Sequence, residues 1–187
     1  MYVVALLLAS TFALCGLATP LVEGPTPAFK NEVISLHNKA RAHYGARPVT
    51  WNDALYPATL QWANACKFQH SQSGGKYGEN LFAASGNNVN FAQSINGWMS
   101  ESAKYNCTKF LKACATGHFT QVVWKSTNQV ACAMVDCRAG TIFGQASKYT
   151  VCRYSPPGNF QGQFAQNVGR PVGTKGTDEQ VVLMTVD

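Results

Sequence analysis

Cys132 and Cys137 constrain this chain more than any other pair of residues. They stand five positions apart, in and beside a stretch from Val130 to Asp136 that alternates as a strand. At strand spacing they lie about 16 Å apart with side chains on opposite faces of a sheet, too far for a bond between them. They therefore staple different layers. The other cysteines have to be counted after export. Met1 to Ala18 is an unbroken small and apolar run with Gly16 and Ala18 at the positions of a small-residue cleavage site, so residues 1–18 read as a secretory signal peptide. Its removal takes Cys15 away and leaves Cys66, Cys107, Cys114, Cys132, Cys137 and Cys152, an even set that implies disulfides in an exported chain. A thiolate zinc site is the alternative, weakened by the absence of any CxxC pair. A membrane anchor is the alternative for residues 1–18, but the run is short for a span and no stop-transfer flank follows.

With 187 residues, 46% of them hydrophobic, there is enough for one core, and no break in composition suggests a second domain. The net charge of +6 comes from 15 basic residues scattered against only nine acidic ones. Scattered cations on an exported chain do not suit nucleic acid. An anionic membrane or cell-wall surface is the more compatible partner.

Residues 19–27 hold Pro20, Gly24, Pro25 and Pro27 and read as a flexible lead, with Thr26 and Pro27 starting a first helix whose Phe29, Val33, Leu36 and Ala40 recur at helical spacing. His37 and Arg41 sit one turn apart on it. Gly45, Pro48 and Trp51 make a turn, and Asn52 or Asp53 caps a second helix that tolerates Pro57 near its first turn. Trp62, Cys66 and His70 follow at spacing four, which predicts that cysteine and histidine share a face at the end of a helical run. A glycine-containing loop, Ser71 to Lys76, leads into Tyr77-Gly78-Glu79-Asn80-Leu81, where the glycine allows close backbone approach and Glu79 turns inward. Phe91, Ile95 and Trp98 line a third helix with Glu101 at the end of its apolar face. Beyond a loop at Ala103 to Thr116, strands are expected at Val130 to Asp136 and Tyr149 to Tyr154, with a further short one at Thr141 to Phe143 between them. Residues 167–187 read as a loosely ordered tail.

The candidate site grows from Gly117 to Thr127, GHFTQVVWKST, which read as a helix of about three turns carries His118 in its first turn. Between Asp53 and Asp136 the only acidic residues are Glu79 and Glu101. Exposed helices usually carry carboxylates freely, so two survivors in so long a stretch point to a site.

GHFTQVVWKST resembles the signature of the CAP superfamily (cysteine-rich secretory proteins, antigen 5 proteins and pathogenesis-related class 1 proteins). So do YTVCRYSPPGN (149–159), YGENL (77–81) and HNKAR (37–41), in the same order. The resemblance covers residues 28–166 and leans toward plant and fungal secreted members. It implies an α+β fold, a three-layer α-β-α sandwich with a small, mainly antiparallel sheet, stapled by Cys66–Cys137, Cys107–Cys114 and Cys132–Cys152. It makes His37 and Arg41 part of a packing motif. It carries over His70 and His118 as metal ligands, with Glu79 and Glu101 as carboxylates holding water or orienting the rings. Zinc suits such a donor set, and magnesium would bind chiefly through water.

The resemblance also implies a secreted, monomeric binder of sterols or fatty acids. Tyr105, Phe110 and Leu111, interleaved with lysines, form a candidate lipid-binding loop, although Ala113 stands where a further aromatic of the family's sterol motif is expected. Asn106-Cys107-Thr108 is a glycosylation sequon. Two alternatives accompany this reading. A metal-dependent hydrolase or protease would need a nucleophile or base, for which the sequence offers Ser71, Glu79 or Glu101 but no HExxH helix. A precursor of a C-terminal signalling peptide would be cut before Pro156, but Arg153 and Ser155 depart from the plant pattern CNYDPxGN.

Overall fold

The computed structural model describes residues 24–86, 88–105 and 116–173. Its centre is an antiparallel pair, β3 (Gln129–Cys137) with β4 (Ser147–Ser155), in which Cys132 lies opposite Cys152 and Cys137 opposite Ser147. A third strand, β2 (Gly78–Ser85), runs antiparallel along β4 with Glu79 opposite Arg153, and a two-residue β1 (Thr50–Trp51) lies parallel to β3. The order is β1-β3-β4-β2, a mixed sheet that is mainly antiparallel.

Strand alternation sorts the core into two halves. Val130, Cys132, Cys152 and Tyr154 face one side, where they pack with α1 (Pro27–His43), α3 (Phe91–Ser100) and α4 (Gly117–Val122). Ala131, Ala133, Cys137, Tyr149 and Val151 face the other, beneath α2 (Tyr56–Asn64). This is the three-layer arrangement. Cys132–Cys152 joins the two central strands, and Cys66–Cys137 ties the turn after α2 to the sheet. Cys107, Cys114 and the sequon at Asn106 lie outside the described residues.

Several expectations are corrected. The helix begun by Thr26, whose hydroxyl accepts from the Phe29 amide, is present, but α2 starts at Tyr56 and not directly after Asn52, because the Asn52 side chain caps a turn by accepting from the Leu55 amide. It also stops at Asn64. Cys66 takes a left-handed φ of 50° and turns the chain away, so His70 lies on a loop and shares no helical face with Trp62. Gly78 to Ser85 is a strand that no pattern announced, since glycine, glutamate and asparagine at its start are poor strand formers. Thr141 to Phe143 forms turns, not a strand, and Phe143 is exposed. Asn167 and Val168, at the start of the expected tail, are buried, and the Asn167 side chain accepts from the amide and hydroxyl of Ser126. The stretch from Gly117 to Thr127 is helical for only six residues.

That short α4 is held at both ends. At its N-terminus the amides of His118 and Phe119 each donate to Glu101 Oε2 at 3.0 Å. At its C-terminal side the fully buried Arg41 donates to the carbonyls of Val122 (2.8 Å), Trp124 (3.0 Å) and Thr127 (2.7 Å), and also to that of Arg47 (2.7 Å). Burial lowers the guanidinium to about 10, still charged at neutral pH. Beside it the buried His37 donates from Nδ1 to the Val33 carbonyl at 2.8 Å, so its Nε2 accepts from the Tyr154 hydroxyl at 3.0 Å. Burial pushes this imidazole down to about 4, against a smaller opposing effect of the Val33 bond.

Two outcomes are expected from this core. Replacing Arg41 by Met strands buried carbonyls and should cost roughly 3–5 kcal/mol in urea denaturation, with Arg41→Lys recovering part of the loss. His37 accepts a proton more readily unfolded than folded. Its contribution is therefore complete above pH 6.5 and is lost as pH falls from 6.5 toward 4, by about 3 kcal/mol in total. His37→Gln should remove that slope from a stability-versus-pH series.

Candidate functional site

His70, Glu79, Asn80, Glu101, Gly117, His118 and Asn159 line one cleft of about 240 Å³. The four residues picked out by sequence thus share a hollow, reached from four different elements. Glu79 and Asn80 are successive on β2 and point to opposite faces of the sheet, which lets the cleft draw on both sides. Asn80 Nδ2 donates to the His118 carbonyl at 3.0 Å and fixes α4 against the strand.

Each histidine is held by a carboxylate through the same ring atom. His118 Nδ1 lies 2.6 Å from Glu101 Oε1, and His70 Nδ1 lies 3.1 Å from Glu79 Oε1. With neutral rings, Nδ1 is the donor and the Nε2 lone pair stays open as a ligand or acceptor. The His118 ring also stacks on Trp98, centroids 6.4 Å apart, whereas His70 is largely exposed. Among the described residues no three of the four site residues bring donor atoms within 4.8 Å of one another. His37, Cys132 and Cys152 do, but both sulfurs are spent in a disulfide, so that buried group is packing and not a metal site.

Sequence reasoning missed what surrounds Glu79. Its Oε1 accepts from the Ser71 amide at 2.8 Å, and its Oε2 from the Ser71 hydroxyl at 2.5 Å and from Arg153 Nε at 3.1 Å. Burial alone would raise this carboxyl, but the bonds from His70, Ser71 and Arg153 together outweigh it and hold Glu79 at about 2. Ser71 Oγ accepts in turn from Arg153 Nη2 at 3.1 Å and contacts the Tyr77 hydroxyl at 2.9 Å. A serine whose proton points at so weak a base is not an activated nucleophile. The one available signal for Arg153 was its place opposite Glu79, and it could be read only once β2 was known to be a strand.

The candidate lipid loop fares differently. The Tyr105 ring packs inward against Phe119, centroids 5.4 Å apart, and Phe110 and Leu111 lie outside the described residues. A larger concavity of about 690 Å³ opens between α1 and α3, walled by Leu36, Ala40, Tyr44, Ile95, Met99 and Val172 with the exposed Lys39 and His43 beside them. The C-terminal segment completes it, where the Val172 amide donates to the His43 carbonyl at 2.7 Å.

Residues 34–154 match the cysteine-rich secretory protein family, CAP. Pathogenesis-related protein PR-1 of Medicago truncatula is 38% identical over 144 residues, spanning 73% of this chain and 78% of that protein. Secreted protein RBT4 of Candida albicans is 35% identical over 154 residues, which are 76% of this chain but 41% of RBT4. The crystal structure of NaASP2 with Zn2+ superposes with a TM-score of 0.61 at 22% identity, over 80% of this chain and 87% of that one, a likeness of fold. Together with the two-faced sheet, its two staples and the four-residue cleft, these matches place the chain in the CAP superfamily, as a member of the pathogenesis-related class 1 type.

Proposed function

We propose that this is a secreted protein that binds a small hydrophobic lipid, a sterol or a fatty acid, in the groove between α1 and α3. The groove carries the reading. At about 690 Å³ it falls in the range of small-molecule sites, and its mainly apolar walls carry a few polar groups, Lys39 and His43 from α1 and Asn96 and Ser102 from α3 and the turn after it. Lys39 beside those walls suits the carboxylate of a fatty acid. Disulfides support export, as does the similarity to a relative named as secreted, and no described helix is long and apolar enough to cross a membrane. Titration with a fluorescent fatty acid and with radiolabelled sterol tests the proposal. Ala40→Trp, which fills the groove, should weaken binding at least about tenfold, and Phe110→Ala should leave it unchanged. Absence of saturable binding by the unaltered protein refutes the reading, and loss in Phe110→Ala alone moves the site to the loop.

A second reading, divalent cation binding in the cleft, is favoured by the paired carboxylate–histidine geometry. His70 and His118 would supply Nε2 as ligands, with Glu79 and Glu101 behind them. The donor set suits zinc, the ion named in the NaASP2 structure. Bound there, such an ion supplies a Lewis acid and a charge that orders the cleft. Isothermal titration with zinc chloride should show His118→Ala and Glu101→Gln each losing about tenfold or more in affinity. Equal affinity in all three proteins would place any ion elsewhere.

The hydrolase alternative finds little support, since Glu79 already accepts from four donors and Glu101 from three, and Ser71 is unactivated. Release of a peptide beginning at Pro156 is likewise disfavoured. Pro156 O accepts from Thr127, Gly158 N donates to Gln121, and Asn159 bonds to Thr120 and Gly117, so the segment is stitched into the domain.

A further inference from the structure

Glu79 and Glu101 look alike in the sequence, and each orients a histidine, but they keep different company. Glu101 meets three N–H donors, the His118 ring at 2.6 Å and the amides of His118 and Phe119 at 3.0 Å, and among the described residues no lysine or arginine pairs with it. Glu79 is paired with the Arg153 guanidinium at 3.1 Å, and the two side chains are only 5% and 4% exposed. Arg153 cannot swing away to solvent. It is the direct cross-strand partner of Glu79 in the β2–β4 register, donates to Ser71 Oγ, and lies 4.3 Å over the Tyr77 ring.

A carboxylate behind a ligand histidine strengthens it by raising its basicity and by adding negative charge to the site. A guanidinium in contact with that carboxylate cancels much of both effects, and burial keeps the cancellation from being screened by salt. We propose that Arg153 is a positioning and affinity-setting residue of the cleft: it neutralises Glu79, leaves His118 with Glu101 as the dominant half of a divalent-cation site, and makes His70 the weaker, exchangeable ligand. The inference rests on the cation reading of the cleft and adds the asymmetry within it.

The experiment is zinc titration by calorimetry at one pH, on the full chain, with near-ultraviolet circular dichroism checking that each variant is folded. Arg153→Gln keeps a donor toward Glu79 without the charge and should bind zinc about tenfold more tightly, whereas Arg153→Lys should stay within about twofold of the unaltered protein. With Arg153 in place, His118→Ala should cost at least about threefold more affinity than His70→Ala, and in the Arg153→Gln background that gap should close. A merely structural role for Arg153 predicts the opposite sign, a loss in Arg153→Gln. Affinity unchanged or lowered in that variant, or equal costs for the two histidines, overturns the inference while the cation reading stands. Absence of zinc binding by every protein overturns both. If Arg153→Gln does not fold, the comparison of the two histidine variants still decides.

Discussion

Six residues do not make a helix that stands alone, because the nucleation cost is barely met before the chain turns away. α4 persists because a carboxylate sits at its positive end and a guanidinium at its negative end, each bonded to the backbone groups that a helix terminus leaves open. Glu101 comes from the end of α3 and Arg41 from the last turn of α1, so holding α4 also fixes those two helices against each other. The arrangement gives His118 its position. The carboxylate that caps the helix through one oxygen orients the imidazole through the other, so that structure and site draw on one side chain.

The same helix is tied to the far end of β4. Gln121, buried, accepts from the Gly158 amide and donates to Thr127, while Thr127 donates to the Pro156 carbonyl. Gly78 and Gly158 flank Gln121 so closely that a Cβ on either would collide with its amide. This is why the GHFTQVVW, YGEN and SPPGN stretches occur together: each closes a contact that the others open. His37 joins them through Tyr154, whose hydroxyl also accepts from Asn80. A polar network of this kind, buried and mutually satisfied, specifies one arrangement of the layers more sharply than apolar packing alone.

Two concavities follow from the architecture, and they differ in chemistry. The cleft lies at the open side of β2, polar and fixed by charge, with its two histidine–carboxylate pairs in unequal electrostatic settings. The groove lies between α1 and α3, mainly apolar and finished by Val172 in the segment that follows α5 (Phe164–Asn167), a segment that starts at the buried Val168. The cleft takes Glu101 from just past the end of α3, the helix whose Ile95 and Met99 line the groove, yet the two concavities have no lining residue in common.

Much of this was legible in the chain. The opposite-facing Cys132 and Cys137 implied a sheet stapled to different layers, the Thr26-Pro27 start and apolar spacing marked the first helix, and the sparse carboxylates marked Glu79 and Glu101. These are local or compositional signals, and strand and helix periods express them directly. The exit from α2 at Cys66, the strand at Gly78 to Ser85 and the stop of α4 at Val122 were not legible, because each depends on a bond made by a distant residue. Arg153 belongs to the same class. Whether an arginine is a solvated surface charge or the buried partner of a carboxylate is decided by which strand lies beside it. Register is a property of the assembled sheet, so residue types and order could nominate the site, and only the tertiary structure could give its two halves different charge.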